Sequence, residues 1–365
     1  MKYEKDLSMI FYFSWFILVF LLLACKRQRN KINVILVFIL FTLVYGSRDY
    51  GGVDDLTYIS AFNNAISGNI VYGMENSYLV ISRILGGLGF NYKAVFLVYA
   101  TISFTFMYFA YKKLCNDKYD WIVAMLGFLV FAFFPTITVM RQFAAAAILT
   151  YAFTLKLKGR NKLSLVFIGL ASLVHVGSVI GFLLFPLFSI KFKPWSKVII
   201  PIICFGIGYF GLSNHFLNWF QKIIPGKYLG YLGNDATSPH VGILHIILFT
   251  IYLFQFVLGS LNKNNRLSDR TIDFLERAQM IYFSIFFITL SSGWASRLSI
   301  YFILFVPFIF TTFISRFSIE RDKKLLYQVC YGAYVLLFIY QVLNLPSSTN
   351  MSDLIPYNWS FNFHK

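Results

Sequence analysis

The chain has 365 residues, 58% of them hydrophobic, 20% aromatic and only 13% charged, with a mean hydropathy of +0.67. A soluble domain needs about a quarter of its residues charged to face water, so this composition excludes an ordinary soluble fold and predicts an all-α, polytopic membrane protein. The net charge of +17 comes as short basic clusters between apolar runs, the positive-inside pattern, which excludes a nucleic-acid groove and leaves membrane lipids as the electrostatic partner.

A spanning helix needs about 20 mostly apolar residues. About 12 transmembrane helices are predicted, over 8–25, 33–46, 94–111, 121–137, 142–155, 163–174, 177–190, 198–213, 241–260, 278–291, 298–314 and 325–343. The first follows only seven residues and lacks a small-residue cleavage site, so it reads as a retained helix. Links 26–32, 112–120, 156–162, 191–197, 263–277 and 315–324 carry nearly all the net positive charge and are assigned to the cytoplasm. The alternate set, with both termini, faces outward. This parity requires the run 163–190 to turn back on itself near His175, because Lys162 and Lys191 must share a side. The expected organisation is one transmembrane domain over 1–365, with outward loops 47–93 and 214–240 forming a periplasmic cap.

The first outward loop is acidic where most other links are positive or carry one isolated arginine or histidine: Arg48, Asp49, Asp54, Asp55 and Glu75 fall between apolar segments. Its piece 78–90 is broken by Arg83 and by Gly86, Gly87 and Gly89, so it reads as an interfacial or re-entrant helix. Asp54 or Asp55 suits a helix N-cap ahead of Leu56 and Tyr58; that reading is favoured for Asp55, whose replacement by alanine is then expected to be mild. Asp49, adjacent to Arg48, is either its counter-charge or a catalytic acid.

Arg48, Arg141 and Arg297 stand in outward links that are otherwise poor in positive charge, where a guanidinium needs an anionic partner to be retained. Three on one side suggest a basin for a phosphate ligand, since the planar fork pairs bidentately with phosphate and keeps its charge. Arg141 and Gln142 head a helix that continues Phe143 and Ala144–Ala147, a small-residue face that admits a close neighbour or an isoprenoid chain. Carboxylates beside such arginines, at Asp49, Asp54 or Glu75, are suited to orient or deprotonate an acceptor hydroxyl; His175 is another base, or a donor to phosphate. Each also has a plain structural alternative as a cap, a counter-charge or a helix-end hydrogen-bond partner. The second outward loop, with Trp219, Phe220, Pro225, Tyr228 and Tyr231, fits an amphipathic flap at headgroup level. Cys25, Cys115, Cys204 and Cys330 are scattered and read as inert thiols; the histidines share no metal-ligand spacing, and neither a metal nor any other cofactor is expected. Phosphate-loop, dinucleotide, zincin and nucleophile-elbow patterns do not occur.

The segments Ser47-Arg48-Asp49-Tyr50-Gly51 and Asp54-Asp55-Leu56-Thr57-Tyr58, followed by Glu75, Arg141-Gln142, His175, Arg297 and Tyr301 in that order, resemble the EpsG-like family of bacterial polysaccharide polymerases, the Wzy type. The similarity covers about residues 10–315, with an Asp54-Asp55 doublet where a single aspartate is usual. The resemblance implies a lipid-linked glycosyltransferase fold in the inner membrane, acting in O-antigen or capsule synthesis. The implied reaction moves a growing glycan from undecaprenyl diphosphate to the sugar hydroxyl of an undecaprenyl-diphosphate-linked repeat unit, with a chain-length regulator as partner. Joined with the reading of the residues themselves, this places Arg141 and Arg297, with Arg48, on the diphosphate, an acid among Asp49, Asp54 and Glu75 or else His175 in catalysis, and Tyr58, Gln142 and Tyr301 in substrate contact. The rival readings are a flippase or secondary transporter of a lipid-linked anion, which is expected to show two related halves that this chain lacks, and an O-antigen ligase with a different acceptor.

Overall fold

The computed structural model describes residues 2–24, 31–49, 54–71, 73–115, 118–212, 241–261, 270–345 and 362–364. The proposed flap at 214–240, Tyr50, Gly51 and most of the C-terminal tail lie outside them. Among the described residues every regular element is helical: α1 (Lys2–Ala24), α2 (Lys31–Gly46), α3 (Asp55–Ile66), α4 (Asn76–Gly87), α5 (Tyr92–Leu114), α6 (Lys118–Phe128), α7 (Phe134–Ile137), α8 (Met140–Leu157), α9 (Asn161–Val174), α10 (Ile180–Leu184), α11 (Pro194–Tyr209), α12 (Ile243–Leu261), α13 (Arg270–Ile288), α14 (Gly293–Ser296), α15 (Ile309–Ile314) and α16 (Glu320–Asn344). A π-helical turn, Leu129–Phe133, joins α6 to α7, and a tightly wound 3-10 segment, Arg297–Phe308, joins α14 to α15.

The expectation of twelve spanning helices is corrected. Among the described residues five helical stretches are long and apolar enough to cross a membrane, Asp6–Ala24, Tyr92–Leu114, Tyr119–Ile137, Arg297–Ile314 and Glu320–Asn344. Five further apolar helices are shorter, at 10–17 residues. The reason is physical: apolar runs in this chain are interrupted by turns well before they reach the thickness of the hydrocarbon layer. The chain is therefore an all-α, multi-span membrane protein with several short apolar helices beside its long ones.

Helix α8 is the axis of the bundle. It packs against α5 on one side and α9 on another, and along the 3-10 segment 297–308. Ala144–Ala147 are all fully buried, because four methyl side chains in one turn let the neighbouring backbones approach from every side. Around this axis Phe41, Phe104, Phe128 and Phe143 meet ring to ring at centroid distances of 5.3–6.0 Å, close enough for aromatic pairs to add to plain burial.

Three prolines inside helices each leave a carbonyl without its usual amide, and in each case a side chain from another helix supplies the missing donor. In the π turn, Val130 O lies five residues before Pro135 and accepts from the Gln341 amide of α16. In the 3-10 segment, Leu304 O lies three residues before Pro307 and accepts from the Tyr111 hydroxyl at 2.9 Å. In α11, Lys197 O lies four residues before Pro201 and accepts from the Tyr252 hydroxyl at 2.7 Å. An orphaned carbonyl in a low-dielectric interior is costly, so these contacts tie distant helices together at the points where the backbone itself is weakest.

The ends of the bundle are chemically distinct. His175 is extended, with φ −150° and ψ 120°, and stops α9. The chain then folds back, so that Gly181 sits against Ile168 and Leu149, and Phe182 against Gly169. The predicted turn at His175 is therefore present, and it returns residues 188–192 to the end where α8 finishes. At the other end, Asn91 caps α5 through its side-chain oxygen and donates to Asn362 O at 2.9 Å, while Phe90 stacks on His364 at 5.0 Å. Residues 362–364 thus lie on the side of the 47–93 segment, the relation that the charge alternation predicts for the C-terminal end.

Candidate active site

The first outward segment is built around a buried ion pair. Arg48 is fully enclosed, and its Nε and Nη2 donate to the two carboxylate oxygens of Asp55 at 2.9 Å each. Nη2 also donates to Ile137 O at 3.0 Å, and Nη1 donates to Tyr45 O. The rings of Tyr45 and Phe96 cover the guanidinium at 4.9 and 4.8 Å. Asp55 is the first residue of α3 and is itself 0% exposed, so the pair stands at the start of that helix. Asp54, not Asp55, occupies the N-cap position, and it makes no side-chain cap bond. The cap reading of Asp55, with its mild substitution, gives way to a buried counter-charge. Asp49, read as either the counter-charge of Arg48 or a catalytic acid, pairs with Lys93. Arg48 is fully enclosed while the Asp49 side chain stays 30% exposed, so the two neighbours take different surroundings.

Arg141 and Arg297 converge elsewhere, with Asp54, Glu75, His175 and Tyr301. Arg141 opens α8 and pairs through Nη1 with Glu75. Its guanidinium lies over the rings of Tyr58 at 5.0 Å and Tyr78 at 6.0 Å, and Tyr78 is fixed by donating to Tyr58 O at 2.7 Å. Arg141 Nε is buried and meets no acceptor among the described residues. Glu75 also accepts from the Val176 amide at 3.4 Å and faces His175 Nε2 at 3.9 Å. Arg297 is the open member: its side chain is 48% exposed and approaches Asp54 at 3.5 Å.

Hydrogen bonding fixes the state of His175. Its Nδ1 lies 2.5 Å from the Tyr301 hydroxyl and accepts from the Gly177 amide at 3.3 Å. A backbone amide can only donate, so Nδ1 is the acceptor nitrogen and the ring proton resides on Nε2, toward Glu75. Burial, helped by the cations of Arg141 and Arg297, lowers the His175 pKa to about 3, so the ring is neutral at physiological pH. Neutral His175 offers one N–H donor, and its acceptor nitrogen is already engaged; it is poorly placed to serve as the base. Gly177 is required here by close approach, because a side chain at that position would collide with the Tyr301 hydroxyl.

Asp54 has the properties of a base. Burial raises its pKa above the usual carboxylate range, even though Arg297 and then Arg141 pull it down. A half-buried carboxylate with a raised pKa, beside an exposed cation, is suited to accept a proton from a hydroxyl.

Tyr58, Gln142 and Tyr301 are all buried. Tyr58 lies beneath Arg141, Tyr301 holds His175, and Gln142 Nε2 donates to Arg297 O, which anchors the start of the 3-10 segment. They support the charged groups, and Arg48 with Asp55 supports the segment that carries Asp54. Lys93, Tyr45, Tyr78 and the Val176 amide were not singled out from sequence. Lys93 had one legible signal, a lysine in the only acidic link; the others act through ring faces or backbone, which leave no pattern.

The family model described as EpsG family matches residues 31–359 of the chain. No curated protein and no solved structure matches it.

Proposed function

The chain belongs to the EpsG family and is a membrane protein of polysaccharide biosynthesis; from that premise we propose that it is the polymerase, a glycosyltransferase that lengthens a glycan carried on undecaprenyl diphosphate. The observation that carries the reading is the convergence of Arg141 and Arg297 on one basin with two carboxylates and a neutral histidine. In this reading the basin faces the periplasm, and both donor and acceptor are lipid-linked oligosaccharides.

At rest each arginine is matched by a carboxylate, Arg141 by Glu75 and Arg297 by Asp54. The donor diphosphate enters at the loose pair, where Arg297 is half-exposed, and uses the Arg141 Nε that no described residue satisfies. Its arrival draws Arg297 away from Asp54. Asp54, relieved of a cation that favoured its charged form, becomes a stronger base. The acceptor hydroxyl oxygen then attacks the anomeric carbon of the donor sugar as its proton passes to the Asp54 carboxylate. The bond from that carbon to the diphosphate oxygen breaks, and its electron pair stays on the leaving diphosphate. Charge on the leaving group grows along this path, so guanidinium groups fixed beside it stabilise the transition state more than the ground state. Glu75 and Tyr58 hold Arg141 at its angle, and His175 Nε2–H is a donor available to the leaving phosphate once Glu75 turns away.

The test is the glycan ladder formed in cells at matched protein levels. Arg141→Ala is expected to leave single capped repeats and abolish long chains. Full-length ladders from that variant would remove the diphosphate-binding assignment.

A further inference from the structure

At the far end of the bundle from this basin, α8, α9, the 188–192 strand of chain and α13 enclose a second polar cavity of about 740 Å³. Lys156 lines it, fifteen residues along α8 from Arg141 and therefore about 22 Å away at 1.5 Å per residue. The charged cluster around Arg141 and this cavity are thus at opposite ends of one helix.

The charge of this cavity is unbalanced. Asp273 is the one carboxylate among its described lining residues, and it is already matched by Lys197 at 2.5 Å and Arg277 at 2.8 Å. Arg277 is further tied to the Ile190 carbonyl at 3.1 Å. Lys156, Lys191 and Arg270 also line the cavity, and none pairs with a carboxylate of the described residues. Exposed lysines and arginines such as Lys191 and Arg270 are ordinarily explained by headgroup attraction. Lys156 is not: it is 8% exposed, and its ammonium rests on the Phe185 ring at 3.3 Å with no acceptor beside it. Its stem is packed in the protein while the ammonium, resting on a ring face, is left to the cavity, where an anion would complete its surroundings. Leu157, Phe188 and Phe192 also line the cavity and give it apolar surface.

We propose that this cavity is a binding site for a phosphate-bearing anion, held by Lys156, Lys191 and Arg270, with the Phe188 and Phe192 wall receiving the apolar part of the ligand. The shared chemistry is a phosphate ester; a phospholipid headgroup and a soluble phosphoester are its two sources.

The experiment uses the full chain in nanodiscs, with retained ligand counted by native mass spectrometry. One arm contains phosphatidylglycerol diluted in phosphatidylcholine; the other contains phosphatidylcholine alone with inorganic pyrophosphate in solution. Lys191→Gln/Arg270→Gln changes two exposed side chains, so folding is preserved, and Lys156→Gln tests the buried cation. The control is Arg321→Gln/Lys324→Gln, an equal charge change at two exposed positions of α16 outside the cavity. At least a tenfold loss of retained ligand is expected for the cavity variants and none for the control. Retention of phosphatidylglycerol identifies a headgroup site, and retention of pyrophosphate identifies a soluble phosphoester. If neither probe is retained, or if the control loses ligand as the cavity variants do, the attraction is diffuse and the site is refuted. Should Lys156→Gln fail to fold, the exposed pair alone decides.

Discussion

Replacing Asp55 by alanine is expected to unfold the outward segment. Arg48 has no exposed surface, and Asp55 supplies two charge-assisted hydrogen bonds to it at 2.9 Å. Without Asp55 the buried guanidinium loses the carboxylate that pairs with it bidentately, which in a buried site costs about 3–5 kcal/mol. The charge-assisted bonds alone, at roughly 1.5–3 kcal/mol each, give a total of the same size. The assay is equilibrium unfolding of the purified protein in mixed micelles with increasing dodecyl sulfate. Asp55→Ala is expected to lower the unfolding free energy by that amount. Arg48→Met/Asp55→Leu, which removes both charges, is expected to recover most of it, because no unpaired ion is left in the interior. Asp49→Ala also removes the carboxylate of a buried cation, Lys93, but Asp49 itself is 30% exposed, so water can reach the pair and the cost is expected to be smaller than that of Asp55→Ala. If Asp55→Ala unfolds with the parent protein, or if the double variant is worse than the single, the buried pair does not hold this segment.

The remaining predictions concern the base and the prolines. Asp54 must be ionised to take the acceptor proton, so the rate is full above its raised pKa and falls as pH drops through it; the acid limb of the pH–rate profile is expected above the usual aspartate range of about 4. The residual activity of Arg297→Gln, which removes a cation favouring the carboxylate, is expected to show that limb at still higher pH, and an unmoved limb would take Asp54 out of the role. His175 stays neutral down to about pH 3, so no inflection near 6.5 is expected that His175→Asn abolishes. Tyr252→Phe strips the donor from Lys197 O and is expected to cost about 1–3 kcal/mol; in a Pro201→Ala background, where the helix regains its own amide, the same change is expected to cost clearly less. Equal costs in the two backgrounds, measured by the same unfolding assay, would disprove the compensation.

The helical segments and the turn at His175 are legible in the sequence because apolar length and flanking charge are local properties. The number of crossings is not, since apolarity marks a helix without fixing whether its length reaches across. Within the site, the arginines near helix ends stand out because charge is scarce in this chain. Their partners do not: Arg48 passes over its neighbour Asp49 for Asp55, and Asp49 reaches Lys93. Those choices follow from which face of the chain each side chain leaves and where α3 begins, which only the assembled fold decides. The same holds for Gln341, Tyr111 and Tyr252, each a polar side chain without pattern that meets an orphaned carbonyl up to 211 residues away.

Two guanidinium groups gripping a lipid diphosphate during glycan transfer is the claim on which the account depends. It is tested most directly by incubating the purified full chain with defined undecaprenyl-diphosphate-linked repeat units and weighing the products. The account predicts products of two and more repeats from the parent protein and none beyond the single repeat from Arg141→Ala. Repeat units that the parent carries across a membrane but never lengthens would contradict it.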